Sequence, residues 1–376
     1  MGDSRLSASR FYADAGVDEP REQRALGNML GWFKRTYAFR RGIGATVAGI
    51  GHFANVLDLG HGLGLVLTTD GVGTKLLIAQ SLKRFDTVGI DCVANNVNDL
   101  LCLGAEPIAL LDYLAINDVD ERALEDLAKG LCTGAERAHI SIPGGEIAQV
   151  GEMLARHAHG PTVDLVGSAL GVVSLSPDRT DLPPLIDGQQ IKAGDAIIGI
   201  LSSGLHSNGY SLARKVLLHE AKLQLDQYME ALGRTLGDEL LEPTCIYVDA
   251  VLPLLRERRP IKGLVNVSGG GLLSLGRLPA ADCSYLIENL PTPQPIFGLI
   301  QSLGSLPDAA MFAAFNMGIG FCLICDDSAV TTILRDIKTA GYLALAVGRV
   351  TDRPGRAVCV DPFNLVGIGE AFTQDP

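Results

Sequence analysis

The segment Leu65-Val66-Leu67, running into Asp70-Gly71-Val72-Gly73-Thr74-Lys75, and the later run Ile90-Asp91 to Asn98-Asp99 decide how this chain is read. The first part is apolar without a period, as a buried strand is, and its end delivers Asp70 and two glycines to a place where backbone can approach a ligand closely. Lys75 then opens a helix. A lysine there has the wrong sign for the helix dipole, so an anion between the two is the natural compensation. A helix from about Ile90 to Cys102 follows. Ile90, Val93, Ala94, Val97 and Leu101 form its core stripe, and Asp91, Asn95 and Asn98 fall at i, i+4 and i+7 on a second face. Asp and Asn are poor helix formers, so propensity does not explain them. Oxygen-rich side chains on one face suit Mg²⁺ with bridging phosphates. The bland alternative is an Asp70–Lys75 ion pair beside a solvated face. The sequence Gly-x-x-x-x-Gly-Lys-Ser/Thr is absent, so phosphate binding alone leaves the fold open.

Working outward, 376 residues with 47% hydrophobic content support two domains, each with a sizeable core. The 44 glycines exceed the usual share of roughly 7%, so many turns take positive φ or approach a ligand. Net charge is −12, and the densest basic run is Arg256-Glu257-Arg258-Arg259, which argues against nucleic acid or an anionic membrane as partner. No apolar stretch spans a bilayer, Met1 to Leu6 lacks a secretory core, and Leu6 breaks the myristoylation pattern. A cytoplasmic protein with eight reduced, buried cysteines is expected. Cys322-x-x-Cys325 reads as part of a buried strand rather than a zinc or redox site.

Elements alternate along the chain. An amphipathic helix is expected near Leu26 to Tyr37, strands at Leu63 to Leu67 and Ile108 to Leu114, and a helix from Glu121 to Ala138 begun by an Asp118/Glu121 capping box. A strand near Ile140 leads into the turn Pro143-Gly144-Gly145-Glu146, and a long strand covers Val163 to Leu175. The polar, proline-rich stretch Ser176 to Pro184 places the boundary between a domain at 1–175 and one at 176–376. The second begins with strand Ala196 to Leu201, the loop Ser202 to Gly209 and a helix near Tyr210. A second Gly-rich loop, Ser268-Gly269-Gly270-Gly271, also lies between an apolar strand and a helix.

His206, in a loop of hydroxyls and amides without core-like burial, suits a phosphoryl donor or a general acid/base. Its bland reading is a helix-capping turn residue. Glu146 at a strand end could complete a carboxylate set with Asp70, Asp91 and Asp99 around magnesium. Arg156, His157 and His159 read as a solvated loop.

Together these motifs resemble the phosphoribosylformylglycinamidine cyclo-ligase, or aminoimidazole ribonucleotide synthetase, family. The carriers are Tyr12 to Asp18, Thr69 to Leu76, Gly89 to Asp91 with Val97 to Leu100, Gly104 to Pro107 and Gly144 to Glu146. Ser203 to Leu212, Glu242 to Thr244, Ser268 to Gly271 and Phe315 to Gly320 continue in the same order. The resemblance implies a two-domain α+β, ATP-binding synthetase with mixed sheets packed with helices, dimerising through its N-terminal sheets. It implies that ATP phosphorylates the amide oxygen of a small ribonucleotide, after which an amidine nitrogen closes the imidazole ring. By that resemblance Lys75, His206 and Asp70 are catalytic, and Asp70, Asp91, Asp99 and Glu146 hold Mg²⁺. Gly71, Gly73, Thr74, Asn95, Asn98, Ser207, Asn208, Gly269 and Gly270 contact ATP. The chain differs from the family pattern at Gln149, where a carboxylate is usual, at Gly51-His52-Phe53-Ala54, and at Asn266, where a histidine is common. A paralogue phosphorylating another small amide or acid, or a non-catalytic ATP-binding subunit, are the alternative readings.

Overall fold

The computed structural model describes residues 19–154 and 162–374. Tyr12 to Asp18, Arg156, His157 and His159 lie outside the described residues. Helix α1 (Glu19–Thr36) begins earlier than its apolar pattern suggests, and Met29, Trp32 and Phe33 are exposed on it.

Six strands form the first sheet: β1 (Ala45–Ala48), β2 (Asn55–Asp58), β3 (Leu63–Gly71), β4 (Glu106–Ile116), β5 (Ser141–Gln149) and β6 (Val163–Ser174). Their order is β1-β2-β3-β6-β4-β5. All neighbours are antiparallel except β4 and β5. Three helices follow the chain order: α2 (Leu76–Leu82), α3 (Asp86–Leu101) and α4 (Glu121–Ala138). The cap of α4 is Asp120, whose carboxylate accepts from the Arg122 and Ala123 N–H groups; the expected Asp118 bonds instead to the Val119 N–H. Helix α3 lies close against α4 because glycines meet at the crossing. A Cβ on Gly89 or Gly130 would overlap the facing helix backbone.

Alternation along the strands sends Val66, Leu110, Leu114, Leu165 and Ala169 into the core. The opposite face of the sheet carries Ile108, Leu111 and Tyr113, all exposed. Pro143 to Glu146, expected as a turn, lies inside β5 instead; as an edge strand β5 tolerates a proline without losing a needed donor.

The second sheet has eight strands, in the order Ile261–Asn266, Ile319–Cys325, Ala196–Leu201, Ala344–Thr351, Ser284–Ile287, Val358–Val360, Leu365–Ile368 and Ala371–Gln374. Cys322 and Cys325 are buried in the second of these, where burial pushes both thiols up to about 12, so they are inert as sequence suggested. Cys132 departs from the expectation of buried thiols: it is exposed on α4. Among the described residues no helix is long and apolar enough to cross a membrane.

Candidate active site

The polar face of α3 is buried. It forms the seam between the two sheets' domains. Lys75 and Asp91, each 0% exposed, are joined at 2.7 Å. Lys75 Nζ also donates to the carbonyls of Glu242 (2.6 Å) and His206 (3.3 Å), and Asp91 Oδ1 accepts from the Thr244 N–H and hydroxyl. Burial pulls the lysine below its usual range, and the Asp91 charge opposes that fall. Asn98 donates to the Cys245 carbonyl and accepts from the Tyr247 N–H. The structure therefore corrects three expectations. Lys75 does not open onto an anion, Asp91 is not open to a metal, and Asn98 is not on a nucleotide-facing surface. Asp91 and Asn98 sit mid-helix because each pairs with a polar group of residues 244–247 in the other domain, and a buried polar atom without such a partner costs about 1–3 kcal/mol.

A second cluster lies at the sheet's helix-facing side. Asp70 and Asp112 both stand opposite Gly167 of β6, so their side chains emerge on one face, two strand spacings or about 9.5 Å apart. Gly167 is required there, since a Cβ would collide with the Asn96 amide. Asn96 clamps the strand end: its Oδ1 accepts from the Asp70 N–H at 3.0 Å and its Nδ2 donates to the Asp70 carbonyl at 3.1 Å. Asn95 Nδ2 donates to the Gly71 carbonyl. Burial raises Asp70 and Asp112 above the usual carboxylate range and pushes Asp99 up to about 7, partly offset at Asp99 by the Asn266 amide at 2.8 Å. Arg277 acts electrostatically on Asp70, Asp99 and His52 alike, which places all four in one locality. Burial holds His52 down at about 4, neutral at physiological pH, and both its ring nitrogens lack a partner.

Glu146 stands opposite Tyr113, one residue out of step with Asp112. The strand period of two therefore puts it on the other face of the sheet, and the expected set of Asp70, Asp91, Asp99 and Glu146 does not assemble within one protomer. Asp112 and Asn96 are the residues that sequence reading missed. A charged residue inside the apolar run Ile108 to Leu114 was the available signal for the first.

The two glycine-rich loops do meet. Asn208 Oδ1 lies against Gly269, Ser207 bonds to the Thr244 hydroxyl, and Thr74 and Ser211 hydroxyls approach to 3.3 Å. His206 in the same loop is 2% exposed, contrary to the unburied position expected for it. Its Nε2 accepts from the Ser203 N–H, and burial beside the Lys75 charge holds its pKa down at about 3. A neutral imidazole used as an acceptor fixes the loop; it does not supply a proton from that nitrogen. Gly71, Gly73 and Gly270 stay at or beside these loops, and Gly73 and Gly270 at positive φ present backbone to open space.

Among the described residues no three His, Cys, Asp or Glu side chains gather closely enough to hold a metal by themselves. Magnesium does not ask for that: it takes one or two carboxylates together with substrate phosphates. Asp70, raised by burial and eased by the Arg277 charge, is a carboxylate that fits an ion arriving with a nucleotide; Asp112 lies on the same face of the sheet, with its own carboxylate over Gly145 of β5.

Two family models cover most of the chain: the N-terminal domain of AIR synthase related proteins matches residues 51–173 and the C-terminal domain matches 192–361. The chain belongs to this family. A phosphoribosylformylglycinamidine cyclo-ligase of Thermococcus gammatolerans is 45% identical over 345 residues, covering 92% of this chain and 96% of the relative. The Methanocaldococcus jannaschii protein of the same name is 42% identical over 344 residues, covering 91% and 92%. In fold, the chain resembles the crystal structure of thiamine-monophosphate kinase from Stenotrophomonas maltophilia, at TM-score 0.59 and 23% identity, covering 87% of this chain and 94% of that one. The family membership accords with the two-domain α+β architecture, in which mixed sheets pack with helices.

Proposed function

We propose that the chain is an ATP-dependent cyclo-ligase that converts formylglycinamidine ribonucleotide to aminoimidazole ribonucleotide in purine biosynthesis. The observation that carries this is 42–45% identity to cyclo-ligases across more than nine-tenths of the chain. The amide oxygen attacks the γ-phosphorus and ADP leaves. The amidine nitrogen then attacks the activated carbon, phosphate departs with the former amide oxygen, and the nitrogen loses a proton. An amide oxygen leaves poorly until it carries a phosphoryl group, which is why ring closure consumes ATP.

The geometry supports a division of labour. Asp70 would hold a magnesium ion with the nucleotide phosphates, with Asp99 in support and Asp112 on the same face of the sheet. That ion, when bound, neutralises charge on the transferring phosphoryl group. The loops of Thr74, Ser207, Asn208, Gly269 and Gly270 offer backbone and hydroxyl donors. Lys75, Asp91, Asn98 and His206 act by holding these loops to α3 rather than by touching the reacting atoms. Glu146 faces the exposed Ile108, Leu111 and Tyr113 side of the sheet, and an apolar face of that kind favours burial against a second copy. A homodimer through this face brings Glu146 to the partner's side of the interface, and a cytoplasmic location accords with reduced cysteines.

Incubation with ATP, Mg²⁺ and formylglycinamidine ribonucleotide tests the reading. Equimolar ADP, phosphate and aminoimidazole ribonucleotide are expected. ATP consumption without ring closure would overturn it.

A further inference from the structure

A second basin, of about 230 Å³, opens in the C-terminal half between the Gly269-Gly270 loop and the hairpin of strands Leu365–Ile368 and Ala371–Gln374. It is smaller than the roughly 300–1,000 Å³ of a site for a whole drug-sized ligand, so it suits one end of a molecule. Ser274, Arg277, Arg356 and Glu370 supply its polar lining. Ser274 decides its meaning. The residue is 2% exposed, yet its hydroxyl has no hydrogen-bond partner. A buried hydroxyl without a partner costs about 1–3 kcal/mol and is therefore rare unless a ligand supplies the bond.

The surrounding chemistry selects an anion. Two guanidinium groups converge on the basin in a chain whose net charge is −12, and guanidinium matches phosphate oxygens in a paired geometry. Gly270 (φ +92°) and Gly369 (φ +66°) face open space at its edge, so backbone N–H groups can approach without a Cβ in the way. Arg277 also stacks over the Phe53 ring at 5.1 Å and acts on Asp70 and Asp99, which makes the basin continuous with the acidic cluster. The far wall, residues 365–374, lies beyond the stretch matched by the C-terminal family model.

We infer that this basin binds a phosphate monoester, the terminal phosphate of the ribonucleotide acceptor, through Ser274, Arg277 and Arg356, with Glu370 accepting from sugar hydroxyls. Its lining contains none of the carboxylates assigned to ATP, and Arg277 is the residue common to the two. The assignment of the phosphate to the acceptor rests on the cyclo-ligase reading; the anion site itself does not.

Calorimetry with ribose 5-phosphate and with inorganic phosphate, on the full chain without ATP, tests the site. Ribose 5-phosphate is expected to bind, and Arg356→Gln and Ser274→Ala are each expected to weaken it about tenfold; Arg356 is exposed, so its substitution leaves the core intact. In turnover, Arg356→Gln should raise KM for the ribonucleotide about tenfold while KM for ATP and kcat hold. The dephosphorylated acceptor should react equally with wild type and variant. Competition between ribose 5-phosphate and the acceptor identifies the phosphate as the acceptor's own. Binding of inorganic phosphate with no such competition, or unchanged affinity and KM in both variants, overturns the assignment. A wild type that closes no ring but loses ribose 5-phosphate binding in Arg356→Gln overturns the cyclo-ligase reading and leaves the anion site standing.

Discussion

Replacing Lys75 with methionine separates a structural lysine from a ligand-facing one. In the fold Lys75 is completely buried, 2.7 Å from Asp91, and its ammonium also serves two carbonyls. Removing one member of a buried pair leaves the other charge uncompensated, at a cost of about 3–5 kcal/mol. Methionine has a similar length, so the cavity contribution is small and the loss is electrostatic. Unfolding entropy near 2.1 cal/mol/K per residue, over 376 residues, gives about 0.8 kcal/mol/K for the whole chain, so Tm should fall by about 4–6 °C if both domains melt together. Asp70→Asn gives the contrast. Among the described residues the Asp70 carboxylate accepts a hydrogen bond from the adjacent Gly71 N–H and bridges no other element, so Tm should move by less than about 1 °C while turnover collapses. Scanning calorimetry and steady-state kinetics on both variants decide the matter. Unchanged Tm in Lys75→Met together with a raised KM for ATP would refute the buried-pair account and return Lys75 to the phosphates.

Asp112→Asn should lower kcat/KM for ATP at least tenfold with Tm preserved, because it shares a face with Asp70; wild-type kinetics would remove it from the site. His206 should contribute a pH-dependent share of stability. Its pKa is about 3 in the fold against 6.5 when exposed, so the unfolded chain takes up the extra proton and stability is lost as pH falls below 6.5 towards 3, by up to about 1.4 kcal/mol per pH unit. His206→Asn, which tolerates the same left-handed backbone (φ +60°), should show a Tm deficit that shrinks between pH 7 and 5, and parallel Tm curves would refute this. Leu111→Glu on the exposed sheet face should yield a monomer in light scattering where wild type is a dimer, without lowering the monomer's helix content; a wild-type monomer at micromolar concentration would count against association through that face.

Local pattern determined a good deal of this protein. The period-free strand ending at Asp70, the stripe Ile90, Val93, Ala94, Val97 and Leu101, the alternation of strands and helices, and the ordered glycine-rich motifs follow from side-chain periodicity and the backbone freedom of glycine, which act over a few residues. They sufficed for the two-domain α+β architecture and for membership of the family. What the oxygen-rich face of α3 does was decided only in three dimensions. The same Asp91 and Asn98 that suit a metal or phosphate suit equally well the Thr244, Cys245 and Tyr247 backbone of the other domain, and spacing along one helix carries no information about which arrives. Strand register made the other choice. The register of β4 against β5 puts Glu146 opposite Tyr113 and so on the open face, and the registers of β3 and β4 against β6 put Asp70 and Asp112 on one face opposite Gly167; these registers are set by pairing between strands about 30 to 100 residues apart rather than by any strand's own sequence.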